Sequence, residues 1–316
     1  MKNRFALAAS TAALFILIFS SDKVLESSRY ALTLCLNSII PSLLPFFIVS
    51  ILLNRLGLPY HLGKMLAPAA RKLFSVSGAG ASAFFIGITG GYPLGAAYIA
   101  DMLKKDYISQ SESERLLAFC NNSGPAFIIG AVGTGVFHSG KAGIILYLAH
   151  ILAALLTGFI LRTGHAEDRV PPAFSPMSFS KALPEAVQSA VSSALNVCGF
   201  IICFSVLTAM LDIGGYFSLA AAWLSDAFGT ELHWARALLT GIFELGSAAG
   251  AMNGLMPKPI NLALAAAILG WGGISVHFQT YAVISDTNLK GTLHIAGRLL
   301  STVFSAVFAY FGSYMI

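Results

Sequence analysis

"AFCNNSGPAFIIGAVG", residues 118–133, places Asn121, Asn122, Ser123, Gly124 and Pro125 in the middle of an apolar run. Asn or Ser ahead of a proline makes a helix start: the side-chain oxygen caps free backbone N–H groups, and proline suits the first helical turn. The stretch therefore predicts that one half-helix ends near Cys120 and another opens at Ala126. A second stretch, "GITGGYPLGAA" at 87–97, does the same with Thr89, Gly90, Gly91, Tyr92 and Pro93, opening a half-helix at Leu94.

Both breaks sit in a chain of 316 residues that is 56% hydrophobic and 10% charged, whereas soluble domains carry about 25% charged residues. An integral membrane protein of the all-α class follows. Windows 30–53, 141–161, 186–211, 259–284 and 292–315 each reach the roughly 20 apolar residues that cross a bilayer. The net charge of +5 is spread through loops, with no stripe that tracks a phosphate backbone, which excludes a nucleic-acid partner. Cys35, Cys120, Cys198 and Cys203 lie in apolar segments without zinc-type spacing and read as small buried residues; neither a metal nor another cofactor is expected. No HExxH, nucleophile elbow, P-loop or paired CxxC points to an enzyme. The first 20 residues have a charged start and an apolar run but no clean cleavage site, so they read as an uncleaved first span.

Glycines interrupt segments 79–103 and 235–256, which either span or dip and return. Cytoplasmic loops carry the excess of Lys and Arg. With both segments re-entrant and the N terminus inside, only Lys23, Arg29, Lys141, Arg236 and Lys258 fall outside, leaving 14 of the 19 basic residues inside. With both spanning, the excess disappears. The re-entrant reading gives seven crossings, two hairpins and an external C terminus. Non-helical backbone at membrane depth requires surrounding protein or a watery cavity.

The two halves also rhyme. "CLNSII" (35–40) matches "ALNVCG" (194–199), setting Asn37 opposite Asn196; amphipathic 60–74 matches 216–229; 87–97 matches "GIFELGSAAGA" (241–251); and "FCNNSGPAF" matches "ILGWGGISV". The expected organisation is an N-terminal helix (1–24), a gate-like repeat (25–162), a cytoplasmic linker (163–184), a second repeat of inverted topology (185–290) and a C-terminal helix (291–316).

Half-helix starts aim free N–H groups and a positive macrodipole end at whatever lies ahead, which suits an anion. The candidate substrate-binding residues are Asn37, Thr89, Gly90, Gly91, Tyr92, Asn121, Asn122, Ser123, Asn196, Ser247 and Trp271. Glu244, read as the only carboxylate deep in an apolar segment, is the candidate ion-coupling residue, with His277 as a possible proton relay. Their plainer readings are a hydrogen-bonded neutral glutamic acid, a packing histidine, and asparagines that bind helices together. Arg298, in the first turns of the last helix, reads as snorkelling to the inner interface.

"GITGGYPLGA", "LLAFCNNSGPAFIIGAVG", "ALNVCGFIICFSVL" and "GIFELGSAAG" together resemble the sporulation integral membrane proteins of the YlbJ type, within the wider nucleoside-recognition or gate-domain family. The resemblance implies transport of dipicolinate, a small aromatic dicarboxylate, across the outer forespore membrane, with Tyr92 and Trp271 available to stack on its ring. The expected partners are a small anionic substrate, the lipid bilayer, a coupling proton or cation, and further copies of the chain. Two alternatives stay open: a nucleoside or ion transporter with Glu244 as the cation site, and a non-transporting scaffold in spore-envelope assembly.

Overall fold

The computed structural model describes residues 2–164, 177–252 and 254–315, and every regular element among them is helical. The middle of the 163–184 linker, with Arg169, lies outside the described residues. Helices α1 (Lys2–Phe19) and α2 (Ser21–Arg55) open the chain. Within α2 a wider turn spans Cys35–Ile39, where the Ile40 N–H reaches back five residues to the Cys35 carbonyl. Pro41 and Pro45 follow immediately, and their missing N–H groups explain why the regular ladder is disturbed there.

Two similar successions follow. The first is α3 (Leu58–Phe74), α4 (Gly78–Gly90), α5 (Leu94–Lys104), α6 (Gln110–Cys120), the π-wound α7 (Ala126–Val136) and α8 (Gly140–Ile160). The second follows α9 (Phe179–Ile213) and comprises α10 (Tyr216–Phe228), α11 (Leu232–Phe243), α12 (Leu245–Ala251), α13 (Pro259–Trp271), α14 (Gly273–Ile284) and α15 (Thr292–Gly312). Each has an amphipathic helix, an interrupted helix pair (broken at Gly91–Pro93 in the first and at Glu244 in the second), a broken helix and a long apolar helix. The five expected membrane windows all fall, to within one residue, inside helices long and apolar enough to cross a bilayer.

The packing is that of helices in lipid. On α8, Ile144, Leu148 and Leu152 form an exposed stripe, while Ala142, Ala149, Ala153 and Gly158 are buried with His150 and Thr157. Alanines do the same on α9, where Ala182, Ala186, Ala190 and Ala194 lie against the bundle. Small residues on buried faces let helices approach closely, and large apolar ones meet acyl chains. Cys35, Cys120 and Cys198 are buried as expected, but Cys203 is exposed.

Helices α4 and α5 form a true hairpin. Ser82 Oγ lies 3.0 Å from Tyr98 Oη, and a Cβ on Gly95 would stand 3.2 Å from the Gly87 Cα, so the two arms run side by side. A bend of 94° separates α3 from α4, turning the amphipathic helix away from the hairpin arm. Loops read as lying on one side of the membrane meet at one end of the bundle. Arg115 donates to the Ser75 carbonyl at 3.0 Å, Arg162 to the Lys72 carbonyl at 3.4 Å, and Arg55 pairs with Glu185. Had segment 79–103 crossed the membrane, the Arg115–Ser75 and Arg162–Lys72 partners would lie on opposite faces.

At the same end Lys104 Nζ sits 2.5 Å from Asp286 Oδ2, linking the hairpin to the α14–α15 loop. The Lys104 hydrogen bond holds the exposed Asp286 carboxyl below its ordinary value. A depressed folded-state value stabilises above the unfolded carboxylate range, near pH 4, and this is lost as pH falls through the folded value. Asp286→Asn is therefore expected to melt slightly below the wild type at about pH 7, the difference shrinking as pH falls below about 4 and through the folded value; a difference that does not shrink on acidification would refute the pairing.

Candidate functional site

Both helix breaks of the first succession pack backbone against backbone. A Cβ on Gly91 would stand 2.7 Å from the Gly124 nitrogen, and one on Gly87 would collide with the Cys120 carbonyl, so only glycine permits the approach. The second succession repeats this at Gly273, whose Cβ would lie 3.2 Å from the Glu244 Cα. The two halves then touch at Tyr92, whose hydroxyl stands 3.1 Å from where a Gly272 Cβ would be.

A cavity of about 50 Å³, room for a few water molecules, lies where these pieces converge. Its walls come from the α4–α5 tip (Gly90, Gly91, Tyr92), the α6–α7 break (Ser123, Gly124, Phe127), the α11–α12 bend (Glu244, Leu245, Gly246) and α14 (Val276, Gln279). Leu43 and Phe47 of α2, with Val197 and Ile201 of α9, close the apolar side.

The electrostatics of this wall are uneven. Helices α5 and α7 start after Pro93 and Pro125, which supply no cap of their own; on α5 the Asn121 side chain accepts from the Ala96 N–H. Helix α12 is different: Glu244, 2% exposed, is its N-cap, with Oε1 accepting from the Gly246 N–H at 2.7 Å and Oε2 from the Ser247 N–H. Glu244 is thus the acidic side chain of the wall, and the starts of α5 and α7 lie beside Tyr92 and Ser123.

Arg298 overturns its expected place. It is 0% exposed, at the centre of the bundle, not at an interface. Nη1 donates to Tyr92 Oη at 2.8 Å; Nη2 donates to Asn122 Oδ1 at 3.2 Å, to the Ala118 carbonyl at 3.2 Å and to Ser301 Oγ at 3.3 Å. Gly297 makes this possible, since any Cβ there would strike the Ala118 carbonyl and push α15 away from α6.

Of the residues the sequence singled out, Gly90, Gly91, Tyr92, Ser123 and Glu244 line the cavity. Asn121 and Asn122 are fully buried behind it. Asn121 accepts from the Ala96 N–H at 3.3 Å and donates to Thr280 Oγ1 at 2.7 Å; Asn122 donates to the Phe119 carbonyl at 2.7 Å and accepts from Arg298. They lock the break to the hairpin, α14 and α15. Thr89 donates to the Phe85 carbonyl within its own helix. Ser247 is buried with its hydroxyl unpartnered and its N–H on Glu244.

Thr89, Asn121, Asn122 and Ser247 are thus not at the cavity wall, and four further residues are not brought to it either. Asn37 and Asn196 are both exposed on the outside of α2 and α9, because the buried stripes there run through Ala31, Cys35 and Ile39 and through Ala190, Ala194 and Cys198. The Trp271 indole is turned to the Ile242 carbonyl, 3.1 Å away, and is not placed to stack on a ligand in the cavity. His277 is buried beside it with ring centroids 4.4 Å apart. Its Nδ1 lies 3.0 Å from His294 Nε2, and His294 Nδ1 lies 3.1 Å from the Leu117 carbonyl. A carbonyl only accepts, so in neutral rings the protons sit on His294 Nδ1 and His277 Nδ1.

Besides Arg298, the sequence reading missed His150, whose Nε2 accepts from the Ser123 N–H at 3.2 Å, and His294. Glu244 is also not the only deeply buried carboxylate. Glu112 is 1% exposed, and its Oε1 accepts from the Ser77 N–H at 2.6 Å and Ser77 Oγ at 2.7 Å, joining the starts of α4 and α6.

A bundle of membrane-length helices with two interrupted helix pairs and two broken helices around a central cavity is a multi-pass membrane protein of transporter-like fold. Solved structures of CNTnw, a concentrative nucleoside transporter, share this fold. A variant in an outward-facing state superposes with a TM-score of 0.61 at 15% identity, over 99% of this chain and 86% of that one. CNTnw in an inward-facing, substrate-bound state gives 0.60 at 14% identity, over 98% and 85%. No family model matches the chain. In sequence it is 32% identical over 312 residues to the sporulation integral membrane protein YlbJ of Bacillus subtilis (strain 168), covering 90% of this chain and 76% of that protein. The chain belongs to the YlbJ family of sporulation integral membrane proteins.

Proposed function

We propose that the chain is a secondary transporter of a small organic anion, with dipicolinate as the substrate and the cavity between the helix breaks as its site. The observation that carries this is the convergence of two helix starts, α5 at Leu94 and α7 at Ala126, on one cavity wall, neither capped by its own N-cap residue and only the Ala96 N–H of α5 held by a side chain, that of Asn121. Such starts favour negative charge, and Arg298 stands behind them. In this reading the two successions are repeats of opposite orientation, and rocking of the hairpins opens the cavity to either side in turn. Opening is also what admits a pyridine ring, since the cavity holds only a few waters in the closed arrangement.

Uptake of labelled dipicolinate into proteoliposomes tests the proposal. Wild-type protein is expected to give saturable uptake above protein-free vesicles. Asn122→Leu removes an acceptor from Arg298, a loss of about 1–3 kcal/mol for a buried charged donor, and is expected to lower uptake about tenfold or more. Equal uptake by both proteins would remove this site. The likeness to CNTnw favours a second reading, a nucleoside substrate; saturable uptake of uridine that dipicolinate does not inhibit would replace the first with it.

A further inference from the structure

Arg298 has a feature that helix packing does not require. All its bonded partners are neutral oxygens: a phenol, an amide, a carbonyl and a hydroxyl. Among the described residues no carboxylate pairs with it, and its Nε has no hydrogen-bond partner. A cation buried in a membrane protein without a counter-ion is costly, and an anion brought nearby relieves that cost.

The route from Arg298 to the cavity is Tyr92. Its hydroxyl oxygen accepts a hydrogen bond from Nη1, and the residue forms part of the cavity wall. Among the described residues its own O–H proton has no acceptor. A phenol that accepts from a guanidinium is polarised into a stronger donor. The cavity wall already holds one carboxyl side chain, Glu244, whose oxygens are occupied by backbone N–H groups.

We propose that Arg298 is the positioning residue that makes the cavity select anions: its charge, relayed through the Tyr92 hydroxyl, is offered to a carboxylate of the ligand at the Tyr92–Ser123 end. This rests on the transport reading above and adds what sets charge preference within it. A dianion is favoured over a neutral molecule of the same shape, and the carboxylate that accepts from Tyr92 completes the pairing that Arg298 lacks within the protein.

The test is calorimetric binding of three pyridine probes to purified full-length protein: dipicolinate, the monoanion picolinate, and the neutral pyridine-2,6-dicarboxamide. Wild-type protein is expected to bind in that order, dipicolinate at least about tenfold tighter than the diamide. Arg298→Gln is expected to bring the dianion-to-neutral ratio close to one with the diamide affinity changed less than about twofold. Arg298→Lys, which keeps the charge, restores part of the ratio. A purely structural Arg298 would weaken all three probes alike, and a folded Arg298→Gln protein with the wild-type ratio overturns the inference.

If Arg298→Gln does not fold, Tyr92→Phe decides, because it keeps the ring and removes only the relay; an unchanged ratio in that variant is equally fatal. Wild-type protein that binds the three probes equally well while still taking up dipicolinate sinks this inference and leaves the transport reading standing. Wild-type protein that binds none of them sinks both.

Discussion

Gly91→Ala is expected to leave no transport-competent protein. The backbone of Gly91 has φ 77° and ψ −171°, a region open to glycine and closed to side chains at about 1–3 kcal/mol. The new Cβ would also stand 2.7 Å from the Gly124 nitrogen and 3.0 Å from its Cα. Those are backbone atoms of the opposing break, which cannot rotate aside as a side chain does, so overpacking adds about 1–3 kcal/mol. Membrane or not, that is a large part of the roughly 5–15 kcal/mol that holds a folded domain. The hairpin tip must retreat from the break, and the two helix starts no longer face one cavity. The matched control is Gly130→Ala on α7, where the nearest atom is a side-chain Cβ 3.6 Å away. Melting of the purified proteins and dipicolinate uptake should show the control near wild type and Gly91→Ala far below it. A Gly91→Ala protein that melts and transports like the control would mean that the hairpin and break do not meet in this way.

The breaks were legible because they are made by the local chain. Asn, Ser, Gly and Pro interrupt helices by their own hydrogen bonding and backbone freedom, so Ala126 and Leu94 were readable as helix starts. What the sequence leaves open is rotation about a helix axis and what stands across from it. Asn37 and Asn196 break the apolar pattern, which suggested a cavity, yet the stripes that face the bundle pass one or two positions away and turn both asparagines outward. Arg298 failed for the opposite reason. It lies six positions into α15, about 9 Å along the helix at 1.5 Å per residue, a depth from which a long side chain can reach either an interface or a core. The deciding partners, Asn122 and Tyr92, are 176 and 206 positions away. The adjacent Gly297 was the available clue, since a glycine beside an arginine in an apolar helix permits another backbone to come close.

Glu244 caps α12 at the cavity wall, and two substitutions separate that structural role from the ion coupling its sequence context suggests. Glu244→Ala removes both acceptors of the buried Gly246 and Ser247 N–H groups. Loss of an N-cap costs about 0.5–2 kcal/mol at an exposed helix start, and here, where the donors are buried, about 1–3 kcal/mol for each one left without a partner. Because Gly273 rests against the Glu244 backbone, the second break is expected to loosen with the cap, and the alanine variant to melt well below wild type with no measurable uptake. Glu244→Gln keeps one acceptor oxygen on the same stem and is expected to fold. If the carboxylate also couples transport to a cation or proton, the glutamine protein will equilibrate dipicolinate across the vesicle membrane but will not concentrate it when a sodium or pH gradient is imposed. The measurement is the plateau ratio of internal to external label with and without each gradient. A glutamine variant that accumulates label as far as the wild type under both gradients reduces Glu244 to a cap and sends the search for the coupling group to the buried histidines beside Arg298.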